Sequence, residues 1–499
     1  MTTLTALARA LAVESGYAQP VRTVRHVHLS DRPLVFIPLQ LAGEANAPLA
    51  ALVGDDREKP RLLAVYEPRN RNQRFEFAAE LAESVILPYI EGYAAGEPGE
   101  KDAYADAPQV LVPGPAAVTF TRLLGRSTRF RRTDGEWAVP ASVPVLGWWL
   151  TYLAERAEHP SSSLLLPMTK ALSAHWATGQ SEAEDQNLAS LVRWIAPPPG
   201  MTGFEAAREA EDPQAWPPAG PATDPDFDRD VLVGLIAMIR DASGVGGAAL
   251  ERARGALAAA LATQLEQTWA LMWQGVDLLR SLPEGGHVAG RWGDDRFSFT
   301  TNMRYFREGG FPQARRDGAV RAAARLSRLE REQRELEVGS AYDDPLVMAE
   351  YRMTGEAFRG TVTEAQRDRR VQEPGKKGAG ALRPLIVVEA AEDVLVAPDA
   401  KVTCPAHPKQ KGVVRDVRPQ PGGATVRVEI ELSGGMGRGS GPAPAGTMPA
   451  VGEAVVYTTL TGEFMPLPKF PDPELTPWTH GGPPPPYVPR DEDGNEAWQ

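Results

Sequence analysis

The chain has 499 residues, 42% of them hydrophobic and 24% charged, which is ample for several packed domains. With 53 Lys and Arg against 65 Asp and Glu, the formal net charge is -12, so any local positive surface needs a specific explanation. The single cysteine, Cys404, excludes an intramolecular disulfide and a zinc site built on several thiolates, and the longest apolar runs are too short to cross a bilayer.

The first twenty residues have neither a basic start nor a long apolar core followed by a cleavage site. We therefore expect no secretion signal, no membrane partner and a cytoplasmic location. The use of only one cysteine fits a reducing compartment.

Residues 1–135 alternate between short strand-like runs, such as RPLVFIPLQL and RLLAVYEP, and helical patterns. In FEFAAELAESVILPYI the apolar residues recur mostly at four-residue steps, as in a helix that covers a sheet. Further on, PQVLVPGPAAVTFTRLL predicts a strand and then a helix, with Gly114 and Pro115 forming the turn and the helix start. This part of the chain is predicted to be an α/β domain.

Residues 136–225 are predicted to form helices that end in a proline-rich connector, and residues 226–380 a helical stalk. A long helix is expected from about residue 248 to 282, because its apolar residues form a stripe at helical spacing. A second, charged helix over about 315–337 is expected to pack antiparallel to it. The stripe consists of Leu257, Leu261, Leu265, Trp269, Met272, Val276 and Leu279.

After residue 380 the period becomes that of strands, with LIVVEA, AKVTC, KGVVRDV, ATVRVEIEL and EAVVYTTL separated by Pro/Gly turns. Five such strands over residues 381–465 predict a small β-barrel of the SH3 or OB type, and residues 466–499 form a proline-rich tail. The predicted fold class is thus a multidomain α+β protein: an N-terminal α/β domain, a helical middle with long antiparallel stalk helices, and a small C-terminal barrel.

Motifs for catalysis are missing from the sequence. There is no GxxxxGK[ST] loop, GxSxG elbow or HExxH helix, and the glycines of GGMGRGSG are followed by no lysine that could hold phosphates. The adjacent carboxylates Asp294 and Asp295 are better explained as turn and cap residues than as an acid/base pair. We therefore assign no catalytic residue, metal or cofactor, and lean towards a protein that is not an enzyme.

The seven histidines give few candidates for a site. His26 and His28 would share one side of a strand and could hold a metal only with a third ligand from elsewhere. His175 lies in a polar segment, but a helix cap at Ser181 explains the same residues. A structural role is favoured for all of them.

The segment RWGDDRFSFTTNMRYFREGG, from Arg291, combines arginines with interleaved aromatic residues. Arginine contacts phosphates and aromatic rings stack on bases, which is the combination that single-stranded nucleic acid requires. The alternative is that the aromatic residues belong to the core and the later arginines pair with glutamates along the helix. The candidate nucleic-acid-binding residues here are Arg291, Trp292, Arg296, Arg304, Tyr305 and Arg307.

Two further basic clusters support this hypothesis. One lies in the N-terminal domain at Arg69, Arg71 and Arg74. The other lies at the entry to the barrel and adds the candidate residues Arg367, Arg369, Arg370, Lys376 and Lys377.

The order of a charged helical hairpin, a basic linker and a small barrel over residues 248–460 resembles the stalk-and-barrel unit of superfamily-1B helicases. The resemblance is carried by the long striped helix, by DPLVMAEYRMTGEAFRGTV and by the strands KGVVRDV, ATVRVEIEL and VGEAVVYTTL. The ATP-binding and hydrolysis motifs of those helicases are missing, so no catalytic residue is carried over. The resemblance implies an accessory subunit that touches nucleic acid without driving it.

The leading hypothesis is a non-catalytic nucleic-acid-associated or scaffold subunit, with DNA or RNA and a separate helicase or nuclease as partners. The first alternative is a protein-interaction adaptor that uses the stalk and the proline-rich tail. The second is a nuclease with a site in the N-terminal domain.

Overall fold

A computed structural model describes residues 2–44, 47–99, 102–244, 246–314, 316–372, 380–436, 441–462, 466 and 468–472. Contacts divide the chain into two compact units. The first unit consists chiefly of Thr5–Gln333, and the second of Thr2–Leu4 with Arg334–Pro466. The chain is of the mixed α+β class, as predicted.

The elements are numbered in chain order. The helices are α1 (Thr3–Ser15), α2 (Arg71–Leu81), α3 (Leu87–Tyr93), α4 (Pro115–Thr128), α5 (Ser142–Arg156), α6 (Met168–Ser173), α7 (Leu188–Ile195), α8 (Gly203–Glu209), α9 (Pro225–Phe227), α10 (Val233–Ser243), α11 (Gly247–Arg280), α12 (Val288–Arg307), α13 (Ala319–Asp343) and α14 (Pro345–Met353). The strands are β1 (Gln19–Pro20), β2 (Leu34–Gln40), β3 (Pro48–Gly54), β4 (Arg61–Ala64), β5 (Val110–Val112), β6 (Leu165–Pro167), β7 (Trp176–Ala177), β8 (Ala357–Gln366), β9 (Arg370–Val371), β10 (Ala381–Leu382), β11 (Leu385–Ala390), β12 (Lys401–Val402), β13 (Lys411–Pro419), β14 (Val426–Ser433) and β15 (Ala454–Thr458).

The first unit is built around a mixed sheet with the strand order β4-β3-β2-β5-β6. Strands β2, β3 and β4 form an antiparallel meander, and β5 and β6 run parallel to β2. Residues of β2 and β3 are buried almost throughout, which is typical of strands with both faces covered.

Successive residues of the strands contribute to two separate cores. Leu34 and Phe36 belong to the core that α2 to α5 and α12 cover. Val35 and Ile37 belong to the core on the opposite face, which α6, α7, α10 and α11 cover. The first unit is therefore a three-layer arrangement of helices, sheet and helices.

The long helix α11 is not one arm of a stalk, which corrects the prediction. Its apolar stripe is buried in the same core as the sheet, and Leu257, Leu261 and Leu265 are fully buried there. A stripe at helical spacing indicates only that one face of a helix is covered. It does not show whether a sheet or a second helix packs on that face. The prediction that the charged helix α13 packs along α11 was therefore wrong.

The sheet also continues beyond residue 135, where the first predicted domain ends. Strand β6 pairs with β5, and α5 packs on the same core as α2 and α4. Helices α4 and α5 approach closely at two glycines. A side chain on Gly147 would lie 2.2 Å from the Arg129 nitrogen, and one on Gly125 would lie 2.8 Å from the Thr151 nitrogen. Only glycine allows this approach.

The second unit contains an antiparallel, nearly closed, barrel-like sheet with the order β12-β13-β14-β11-β8-β15 among the described residues. Backbone hydrogen bonds between Thr403 and Thr458, 2.8 and 3.0 Å long, join its first and last strands. The predicted strands and the hairpin of β13 and β14 are confirmed. Strand β8 was not predicted and adds residues from before 381 to the barrel.

Some predictions fall outside the described residues. These are Lys376, Lys377 and most of the proline-rich tail, residues 473–499. None of the helices in the described part of the chain combines the length and the apolar character needed to span a membrane.

Candidate nucleic-acid interface

The basic aromatic segment lies between the two helices predicted for the stalk and forms a helix of its own, α12, which was not predicted. Trp292, Phe299 and Met303 recur at helical spacing and are buried, which favours a helix packed on the core. The helix ends with Arg304 and Arg307 in its last turn, followed by Gly309 at φ 76°. Basic residues and a left-handed glycine are typical of a helix C-terminus.

Trp292 lies on the inner face of α12. Only 7% of it is exposed, its ring stacks on His28 with the ring centroids 4.0 Å apart, and its Nε1 donates to Asp106 Oδ1 at 2.8 Å. Its stacking surface and its polar atom are both in use. Trp292 is therefore part of the core, as the alternative interpretation of the segment predicted.

Asp295 is the polar anchor of the same inner face and is 1% exposed. Its Oδ1 accepts from Arg156 Nη2 at 2.9 Å and from Ser162 Oγ at 2.7 Å, and its Oδ2 accepts from the Ser163 nitrogen at 2.7 Å. Burial raises the pKa of Asp295, while Arg156 and the hydrogen bonds oppose that rise. The contacts tie α12 to α5 and to the start of β6.

Three of the predicted arginines make contacts within the first unit. Arg291 Nη2 donates to the His26 carbonyl at 3.0 Å and Arg296 Nη1 to the Ala105 carbonyl at 2.8 Å. Arg307 Nη1 donates to Tyr104 Oη at 3.2 Å, and its other terminal nitrogen pairs with Glu91. These side chains hold α12 against neighbouring loops and helices.

The outer face of α12 remains exposed. Phe297 is 54% exposed and Tyr305 48%, and the Arg304 side chain between them is 50% exposed, 4.0 Å from Asp102. Phe311, 74% exposed, follows the helix, and its backbone nitrogen donates to Tyr305 Oη at 3.1 Å. We call Phe297, Arg304, Tyr305 and Phe311 the outer face.

Phe297 and Phe311 were not chosen from the sequence, although a helical projection separates Phe297 from the core residues of α12. With about 100° per residue, positions 297, 301, 304, 305 and 308 fall on the side opposite 292, 295, 299 and 303. That projection requires α12 to be recognised as a helix, and it was not. Asp294 and Glu308 are exposed too, so the outer face is aromatic and of mixed charge.

The arginines at the barrel entry are bound within the second unit. Arg367 Nε donates to the Ala443 carbonyl at 3.2 Å, and Arg370 Nη1 to the Gly380 carbonyl at 3.1 Å. Arg369 Nη1 donates to Glu431 Oε2 at 2.7 Å. These three guanidinium groups are therefore already hydrogen-bonded to other residues of the second unit.

His175 has a structural role. His175 Nδ1 lies 2.7 Å from the Ala171 carbonyl, and its Nε2 accepts from the His26 backbone nitrogen at 3.1 Å. Burial lowers the pKa of His175 to about 4. Among the described residues no group of three or more His, Cys, Asp or Glu side chains could hold a metal ion. Ser181 and Glu184 exchange hydrogen bonds of 2.6 and 3.3 Å within a turn, whereas the cap of the following helix α7 is Asn187, which corrects the predicted cap at Ser181.

A shallow groove of about 440 Å³ lies beside α12. Its walls come from α3, α5 and α12 and include Ile90, Val145 and Phe306, with the carboxylates Glu83 and Glu91 on its rim. Carboxylates repel phosphates, so the groove does not extend the candidate interface.

A scan against protein-family models and searches of curated proteins and of solved structures find no match to this chain. The function is therefore inferred from the chemistry of the exposed residues.

Proposed function

We propose that the protein is a non-catalytic nucleic-acid-associated subunit that acts beside a separate helicase or nuclease. The observation that carries the proposal is the outer face of α12, where Phe297, Tyr305 and Phe311 are exposed around Arg304. Exposed aromatic rings next to a guanidinium can stack on bases and contact the phosphates between them. The proposed ligand is single-stranded DNA or RNA, whose bases are free to stack.

The spacing of the outer face suits such a ligand. Phe297 and Tyr305 are eight residues apart on one helix, which corresponds to about 12 Å along its axis. A base stacked on an aromatic side chain contributes about 1–3 kcal/mol. Two or three stacked bases therefore supply measurable affinity without a long basic groove.

Charge contributes less to this interface than stacking does. Asp294 and Glu308 share the outer face with Arg304, and Asp102 lies 4.0 Å from the Arg304 guanidinium. Each phosphate neutralised by the protein adds about 0.7 to the logarithmic salt slope for a single strand. We therefore expect a shallow salt dependence, with a slope of about 1.

The test is fluorescence anisotropy of a labelled single-stranded oligonucleotide with the full chain at low salt. Replacing both Phe297 and Tyr305 by Ala should weaken binding at least about tenfold, since each ring supplies about 1–3 kcal/mol. Phe204→Ala is the matched control, because Phe204 is as exposed as Phe297, at 54%, but lies on α8. Absence of binding at low salt, or an equal loss in the control, would sink the proposal.

A protein-interaction adaptor is the second candidate, and exposed apolar residues on and beside α10 favour it. Val231 and Met238, 39% and 54% exposed, are seven residues apart and share a helical face. The apolar stripe of α11, which the adaptor hypothesis also used, is buried in the first unit. Met238→Glu should abolish capture of a partner from native lysate while leaving oligonucleotide binding unchanged.

A further inference from the structure

A second surface of the first unit combines an exposed aromatic ring with arginine. The Arg71 guanidinium lies 4.7 Å from the ring centroid of Phe75 and 5.4 Å from that of Trp137. Its Nη2 also donates to the Trp137 carbonyl at 2.8 Å. Trp137 is 56% exposed, so one side of its ring is held by Arg71 while the rest is open to a ligand. We call Arg71, Phe75, Arg131 and Trp137 the Arg71 surface.

Among the described residues, no carboxylate forms an ion pair with Arg71. Burial lowers the pKa of Arg71, and no carboxylate contributes an opposing effect. A guanidinium stays protonated under such conditions, so its positive charge persists. Nearby arginines do have acidic partners, since Arg69 pairs with Glu44 and Arg132 with Asp134.

Arg131 adds a second guanidinium to the same ring system. It is 6% exposed, and its guanidinium lies 5.2 Å from the Phe75 centroid, while its Nε donates to the Ser127 carbonyl at 2.8 Å. A buried cation contributes to the local potential although it does not itself reach a ligand. Arg131 therefore adds positive charge beside Arg71, while the exposed Asp134 and Glu136 flank Trp137 in the sequence.

A chain of contacts connects the Arg71 surface to the outer face of α12. Arg129, two residues before Arg131, donates from Nε to the Gln313 carbonyl at 3.0 Å. Gln313 follows closely on Phe311, which is bonded to Tyr305. The buried arginines just after α4, Arg129 and Arg131, thus contact both the segment after α12 and Phe75.

We propose that the Arg71 surface is a second contact for the same single strand, which reaches from the outer face to Trp137. This inference rests on the proposed function and specifies its ligand. The ligand is a single strand long enough to span two stacking sites, with its bases on Phe297, Tyr305 and Phe311 at one end and on Trp137 at the other. Duplex ends and short oligonucleotides can occupy only one of the sites.

The experiment measures affinity against length for unstructured DNA and RNA oligonucleotides, with the full chain and its variants. For the wild type, affinity should rise in two steps as the strand becomes long enough to reach the second site. Trp137→Ala should remove the second step and weaken long strands about tenfold, with short strands unchanged. Trp137→Phe should restore most of that loss, because a phenyl ring still stacks.

The control for charge is Arg61→Ala, because Arg61 is 48% exposed and pairs with Glu80 outside both surfaces. Arg71→Ala should weaken long strands and Arg61→Ala should not. A single step with length, or equal binding by wild type and Trp137→Ala, overturns this inference. If the Phe297 and Tyr305 variant still binds more weakly in that case, the proposed function stands, whereas no binding at any length overturns both.

Discussion

Two arginines of the first unit, Arg71 and Arg304, differ in their surroundings from the arginines at the barrel entry. Arg304 shares the outer face with exposed aromatic residues, and Arg71, at the start of α2, lies over the exposed ring of Trp137. At the barrel entry, Arg369 is bound to the buried Glu431, and Arg367 and Arg370 to backbone carbonyls. The described aromatic residues of the barrel sheet, Phe358 and Tyr457, stack inside it.

This difference separates charge that is available to a ligand from charge that holds a fold together. A guanidinium already bonded to a buried carboxylate has to lose that bond before it can contact phosphate, and the carboxylate left behind is costly. Ligand binding is therefore expected at the first unit, and a structural role for the barrel-entry arginines. Substitutions on α12 and in the barrel test both halves of this distinction.

The largest expected effect concerns the inner face of α12. Asp295→Ala leaves the partly buried Arg156 without its buried carboxylate and should destabilise the first unit by about 3–5 kcal/mol. Urea unfolding followed by tryptophan fluorescence measures this, because residues 334–466 contain no tryptophan. The exposed neighbour is the control, and Asp294→Ala should change stability by less than about 0.5 kcal/mol. An equal loss of stability in the two variants would contradict the assignment of Asp295 to the buried face of α12 and of Asp294 to the exposed face.

The next largest effect is a dependence of the stability of the first unit on pH. The pKa of His175 is lowered to about 4 when folded and is near 6.5 when unfolded, so the unfolded state binds the additional proton between these values. Stability is present above pH 6.5 and is lost as the pH falls towards 4, by up to about 3 kcal/mol.

The fluorescence-detected urea midpoint should therefore be lower at pH 5 than at pH 7. His175→Gln removes the titrating group and should flatten this dependence, since an amide can bond to the same carbonyl and nitrogen. An unchanged slope in that variant would show that other groups cause the effect.

Replacement of the buried carboxylate of Glu431 should lower the stability of the barrel. Glu431 accepts from Arg369 at 2.7 Å and from Arg415 at 2.8 Å, so Glu431→Gln should cost about 1–3 kcal/mol. Circular dichroism should detect this loss while the tryptophan transition and oligonucleotide affinity stay constant. A loss of oligonucleotide affinity instead would move the binding site to the barrel entry.

The smallest effect on stability is expected at the outer face. Phe297→Ala removes a ring that is 54% exposed and should change the free energy of unfolding by about 0.5 kcal/mol or less. Its oligonucleotide affinity should nevertheless fall. A large loss of stability would indicate that the ring is part of the core and not of the interface.

Local patterns predicted much of the fold. LIVVEA corresponds to β11, the long striped helix was placed within two residues of its observed ends, and Gly114 and Pro115 do start α4. The errors concern features that depend on tertiary contacts, which a local sequence pattern does not show. The apolar stripe of α11 carries no information on what covers it, and strand β8 was missed because AFRGTVTEAQ has a glycine and exposed charges in place of a regular apolar alternation.

The candidate interface was predicted only in part. The segment was identified by its composition, but Trp292 was chosen together with Tyr305 although they lie on different faces of α12. The faces are distinguished by the pairing of Asp295 with Arg156 and of Trp292 with Asp106, contacts between residues more than a hundred positions apart. Trp137 was overlooked for the same reason, since Arg71 is 66 residues away in the sequence.

The seam between Thr403 and Thr458 limits how the second unit can recognise another protein. Many domains capture an extended peptide by adding it as a further strand to an open sheet edge. Here the backbone donors and acceptors of these two residues already bond to each other. A partner that docks at this seam has to be recognised through side chains, so its sequence would matter more than its ability to adopt an extended backbone.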